Sequence, residues 1–214
     1  MDCKFELTGI TSLLMHHDSV EHSGLVKAWQ KDPANKNAGT AGDDRAPAWT
    51  WQGYTYHDGA NVCMAADNVM ACLRQAGAQV RIKGNSTFKQ LTQSGMFITT
   101  EFCQFLSDGK SVSVKSLNAM KNLSFEKQAD KCRELGFRLF VKRARVGTSK
   151  HVRVRPRFDK WSLTGNLQIE AKELTPEALE LIFKLAGKVG LGDWRPGCRT
   201  PGPFGMFTSK LTFQ

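Results

Sequence analysis

The chain has 214 residues, 41% of them hydrophobic and 23% charged, with 13 Phe and 5 Trp, a composition that excludes wholesale disorder and collagen-like or low-complexity chains. Thirty Lys plus Arg against twenty Asp plus Glu give a formal charge of +10, which favours polyanionic partners. No run approaches the roughly 18 consecutive apolar residues of a membrane helix and residues 1–14 lack a signal-peptide layout, so a cytoplasmic protein without membrane contact is expected.

Residues 4–14 alternate Phe5, Leu7, Gly9 and Thr11 with Lys4, Glu6 and Thr8, the period-two pattern of a strand that turns apolar at Leu13-Leu14-Met15 and belongs in the middle of a sheet. Residues 16–59 lose periodicity and gather Gly, Asn, Asp and Pro around Trp29, Trp49 and Trp51. They read as a long insertion loop that is functional or ordered by its aromatics. Val62, Cys63, Ala66, Val69, Met70 and Leu73 stand at helical spacing and predict a helix over 60–76, ended by Gly77. Residues 78–135 read as an insertion or hairpin region. Within them 81–94 resemble an exposed loop, 96–106 a strand, Asp108-Gly109 a tight turn into a second strand at 111–115, and 125–135 a short helix ended by Gly136. A strand is expected over 137–146.

Trp161, Leu163, Gly165, Leu167, Ile169 and Ala171 alternate strictly with polar residues, which predicts a strand with one face buried. Thr175 then caps a helix opened by Pro176, with Leu174 and Leu179 as its hydrophobic staple and Gly190 as its end. A glycine-rich segment and a last strand, 206–213, complete the chain. Two strand–helix–strand halves on one sheet give an α+β fold: a ferredoxin-like, RNA-recognition-motif-like antiparallel sheet with helices on one face, residues 1–214 forming one domain.

The charge is unevenly spread. Residues 1–60 carry five basic and eight acidic groups, and residues 61–214 carry 25 and 12. Lys142, Arg143, Arg145, Lys150, Arg153, Arg155, Arg157 and Lys160 crowd one stretch whose single acid is Asp159. In His151-Val152-Arg153-Val154-Arg155 the period is two, so the arginines share a strand face while the valines enter the core. Pro156 is expected to stop this strand or confine it to an edge. Phosphates are the natural complement of such a row, through counterion release and bidentate guanidinium contacts.

Six cysteines have no zinc-ligand spacing and read as reduced, mostly buried thiols. The glycine-rich segment has neither a Walker ending nor a dinucleotide-binding order, but its glycines can offer bare N–H groups to phosphate. GLGDWRP followed by GPFGMF before a terminal strand resembles the glycine-rich loop of the RAMP superfamily, the backbone and processing subunits of CRISPR effector complexes. The opening LTGITSLLMHH is similar to the first strand of the backbone subunits. A similar layout occurs in phage and prophage proteins.

That resemblance implies a binder of single-stranded RNA or DNA, RNA favoured, that works with copies of itself or other subunits of a nucleoprotein complex. It nominates Gly192, Trp194, Arg195, Arg199 and Phe204 beside the basic strand. Trp194 would stack on a base and Arg195 hold a phosphate. It also points to His16, His17 and Asp18, after the first strand, as catalytic candidates for a metal-independent endoribonuclease, with histidine as general base. His17, Asp18 and His22 lack a fourth ligand, so neither metal nor cofactor is expected. A different class stays open: a phage or prophage interaction protein that docks an acidic partner or inhibits a nucleoprotein complex.

Overall fold

A computed structural model describes residues 1–40 and 42–214. In chain order the elements are β1 (Asp2–Gly9), β2 (Leu13–Leu14), α1 (Val20–Lys31), β3 (Cys63–Ala65), α2 (Ala66–Gly77), α3 (Leu91–Ser94), β4 (Met96–Ile98) and β5 (Phe102–Ser107). They continue with α4 (Val114–Ala119), α5 (Phe125–Glu134), β6 (Arg138–Val146), β7 (Ser149–Phe158), β8 (Trp161–Ile169), α6 (Pro176–Val189) and β9 (Phe207–Phe213). Short 3₁₀ turns occupy Pro33–Asn35 and Thr50–Tyr54. The fold is α+β. The chain, which reads in sequence as one domain, divides into two compact units. The first comprises Met1–Leu14, Cys63–Ser111 and Asp159–Gln214, and the second Met15–Val62 and Val112–Phe158.

The first unit is built on a sheet of order β3-β5-β8-β1-β9, with β4 also paired to β8, and the pairings are antiparallel. The expected central strand is central: β1 lies between β8 and β9, with Cys3, Phe5 and Leu7 buried and Lys4, Glu6 and Thr8 exposed. It ends at Gly9, however, and only Leu13–Leu14 resumes extended pairing. The buried face meets α6, where Phe183 lies 5.7 Å from Phe5. The start of α6 follows its sequence signals: the Thr175 hydroxyl accepts from Ala178 N–H at 3.3 Å, Leu174 and Leu179 are buried, and Gly190 ends the helix at φ 80°.

Several boundaries differ from the sequence reading. The 60–76 helix starts only at Ala66, because Cys63–Ala65 pair with β5. The strand expected over 96–106 is two strands on one side of β8. Asp108-Gly109 does turn, at φ 47° and 77°, but Val112 and Val114 form no return strand. The Ser113 hydroxyl accepts from Ser116 N–H at 3.1 Å and starts α4 instead, a capping contact that outweighs the alternating valines.

In the second unit the supposed loop 16–59 contains a three-turn helix, α1, capped by Ser19. Its residues are exposed or half-buried, which is why it carries little apolar period. Trp51 anchors the segment: it is fully buried, donates to Gln128 Oε1 at 2.7 Å and packs on Phe137 at 5.8 Å, which stacks on Phe158 at 5.1 Å. Strands β6 and β7 form an antiparallel hairpin across Gly147-Thr148. Pro156 does not stop β7; it pairs with Leu139 inside the hairpin, and its carbonyl accepts from Met15 N–H at 3.1 Å.

Gly187 faces β9 so closely that a Cβ would collide with the Phe207 carbonyl oxygen. Glycine to alanine in a helix interior ordinarily stabilises by about 1 kcal/mol, whereas overpacking costs roughly 1–3 kcal/mol. Gly187→Ala should lower the urea midpoint; a rise would show that the helix moves away freely.

Candidate functional site

The basic hairpin carries Arg138, Lys142, Arg143, Arg145, Lys150, Arg153, Arg155 and Arg157 and no acidic residue between positions 138 and 158. Its register sorts these groups. Arg138 opposes Arg157, Phe140 opposes Arg155, Lys142 opposes Arg153 and Ala144 opposes His151, and paired residues share a face. Arg143, Arg145 and Lys150 occupy the other face, which closer to the core carries Leu139, Val141, Val154 and Pro156. Val154 is buried as the alternation requires, and Val152 is half-buried. Residues 141–143, 145 and 147–150 are exposed, so the hairpin's outer half is open to solvent on both faces.

The inner half is fixed by an acid that sequence reasoning missed. Residues 42–44 run beside β7, with Val152 N–H donating to Gly42 O and Asp44 N–H to Val152 O, both at 3.0 Å. Asp44, its side chain 6% exposed, thereby meets Arg153 Nη1 at 2.9 Å, Arg155 Nη1 at 3.2 Å, Val154 N–H at 3.2 Å and the Tyr54 hydroxyl at 3.2 Å. The Arg155 guanidinium lies over the Tyr54 ring at 4.3 Å and is 11% exposed. Burial, reinforced by the Asp44 charge, raises the Tyr54 phenol above its ordinary pKa. Arg155 is thus largely committed to holding the hairpin, while Arg153 is 32% exposed. A lone acidic pair in a polar loop, Asp43-Asp44, was the sequence signal for this clamp.

A cavity of about 270 Å³ opens beside the clamp, and its wall includes His17, Asp18, His22, Lys27, Asp44, Tyr54 and Arg153. Two of the nominated catalytic residues, His17 and Asp18, therefore share a cavity with a nominated strand arginine. His17 stacks on Tyr56 at 4.8 Å, and its Nδ1 is buried with no hydrogen-bond partner. His16 is exposed, set edge-on to Tyr54 at 5.1 Å, with Nε2 3.2 Å from Arg155 Nη2. His22 ring nitrogen Nε2 is 3.1 Å from the Thr50 carbonyl, and Gly53 leaves room for the ring. Burial, the largest cause, lowers the His22 pKa. A second cavity of about 270 Å³, also lined by His17 and His22, includes His57 and Lys121. Among the described residues no cluster of three or more His, Cys, Asp or Glu is placed to hold a metal.

The remaining nominated residues belong to the first unit. Lys160 is exposed and lies 3.4 Å from Asp108. The glycine-rich loop turns its amides inward: those of 191, 193, 197, 202 and 205 donate to the carbonyls of Gly205, Leu14, Val189, Arg195 and Ser12. Gly192 and Gly205 are at φ 77° and 76°, where a Cβ would collide with the Leu14 and Leu191 carbonyls. The expectation of a row of bare N–H groups is corrected accordingly, since these glycines serve close backbone packing. Trp194 is half-buried at φ 49°, donates Nε1–H to Pro201 O at 3.2 Å and packs on Phe204, which is buried. Arg195 donates to Gly192 O at 3.0 Å, and Arg199 is exposed. The six thiols are free, five buried and Cys198 half-buried; burial pushes Cys72 up to about 12.

No family model matches the chain, and neither does any curated protein sequence. No helix among the described residues is long and apolar enough to cross a membrane.

Removing Asp44 leaves two arginines without their buried partner. Asp44→Ala should cost roughly 3–5 kcal/mol in urea unfolding, with faster amide exchange at 152–156; a cost below about 1 kcal/mol would mean the clamp is an ordinary surface pair. Because the folded pKa of His22 lies below its unfolded value of about 6.5, its stabilising contribution is complete above that value and is lost as pH falls through it toward the folded pKa. The urea midpoint should therefore drop as pH falls below about 6.5, and His22→Gln should flatten that drop. An unaltered slope would remove His22 from the folding equilibrium.

Proposed function

We propose that this chain binds nucleic acid along its phosphate backbone through the β6–β7 hairpin, with single-stranded RNA the favoured ligand. One observation carries the reading: a hairpin with eight cations, no acid, and an outer half open on both faces. Self-repulsion among these groups is relieved near the core by Asp44 and remains near the tip, where a polyanion would relieve it. Lys142, Arg143, Arg145 and Lys150 are the groups best placed for phosphates, and Arg153 extends the row inward.

The preference for RNA and for a single strand comes from the RAMP-like loop and opening strand. It is supported by the strand order β9-β1-β8-β5 with α2 and α6, which is compatible with a ferredoxin-like or RNA-recognition-motif-like core. In this reading the glycine-rich loop is mainly a structural knot, and exposed Arg199 is its outward cation.

Each cation that neutralises a phosphate on a single strand contributes about 0.7 to the slope of log K against log salt. Replacing Lys142, Arg143, Arg145 and Lys150 together by Ala should weaken binding of a labelled oligoribonucleotide and flatten that slope by up to about 3. Fluorescence anisotropy over a salt series measures both. Unchanged affinity and slope would exclude the hairpin as the binding element.

A further inference from the structure

We propose that the cavity beside the Asp44 clamp holds one unpaired nucleobase of the bound strand, an inference that rests on the hairpin being the phosphate-binding element. Arg153 is the physical link. It stands on the cationic face of β7 opposite Lys142 and also forms part of the cavity wall. A strand whose phosphates follow that face passes the cavity mouth, and bases of single strands are free to turn outward.

The size and chemistry of the cavity favour a base over the alternatives. At about 270 Å³ it falls below the roughly 300–1,000 Å³ of drug-sized sites, room for a single ring system rather than for an extended ligand. Its wall carries three carboxylates, Asp18, Asp43 and Asp44, against two cations, Lys27 and Arg153. Arg153 is already engaged by Asp44 and Asp43 by Arg45. A phosphate would be repelled here, whereas a neutral heterocycle with donors and acceptors on its edge would not. The wall also includes Tyr54 and His17, whose flat rings suit a planar ligand.

One exposed group on the wall is open to a base edge. The Asp18 carboxylate has no hydrogen-bond or ion-pair partner among the described residues and can accept from the amino or imino N–H of a base. Ser23 and Gln30 of α1 form the rim from which the cavity can be blocked without touching the clamp.

The test compares a base-bearing oligoribonucleotide with an abasic ribose-phosphate strand of equal length and charge, by anisotropy over a salt series. The native chain should bind the abasic strand at least tenfold more weakly, with the same salt slope. Ser23→Trp, on the exposed surface of α1, should erase that difference by filling the cavity, and Asp18→Asn should reduce it. Equal binding of both strands overturns the base site while leaving phosphate binding intact. A difference that persists in Ser23→Trp also overturns it, because the base contact then lies elsewhere. Failure of both strands to bind removes the hairpin reading, and this inference with it.

Discussion

The second unit depends on one buried carboxylate. Asp44 receives hydrogen bonds from two guanidiniums, a backbone amide and a phenol, and without it adjacent arginines on β7 would confront each other in a poorly solvated place. Burying an ion pair is seldom a net gain in stability, but its breakage is costly. The clamp therefore acts mainly as a constraint on geometry. It fixes the hairpin's inner half against the 42–54 segment and leaves the outer half free of acidic neighbours within its own sequence.

That division has a functional consequence. Arginines look equivalent in the string Arg153-Val-Arg155-Pro-Arg157, yet Arg155 is nearly enclosed while Arg153 keeps about a third of its side chain in solvent. The cations available to a ligand are those toward the tip, and they lie on both faces rather than in one row. A polyanion gripped there can be contacted from more than one side. The cavity at the inner end adds a different chemistry, with carboxylates where the hairpin offers only positive charge.

Much of the first unit was legible in the sequence because its signals are local and mutually consistent. The strict alternation in 161–169, the Thr175-Pro176 start and the Gly190 stop name their own structures. The basic strand was legible too, since period two sorts Arg from Val without knowledge of any partner. What the sequence hid was long-range. Asp44 meets Arg153 across 109 positions, and the Asp43-Asp44 pair in its polar loop does not say which cations it meets. Helix α1 was hidden because it lies on the surface and lacks a buried stripe, so polar composition outweighed its Ser19 cap. The glycine loop was misread in purpose rather than in place: positive φ at Gly192 and Gly205 was foreseeable, but the Leu14 carbonyl that presses on Gly192 and the Ser12 carbonyl that accepts from Gly205 N–H come from the far end of the chain.

The account centres on where a strand lies, and hydrogen–deuterium exchange with and without a short oligoribonucleotide reads that directly. Slowed exchange confined to residues 141–155 and the cavity-lining segment 17–30 is the pattern it requires. Protection confined to the first unit, or none at all under conditions where the oligonucleotide is bound, would contradict it.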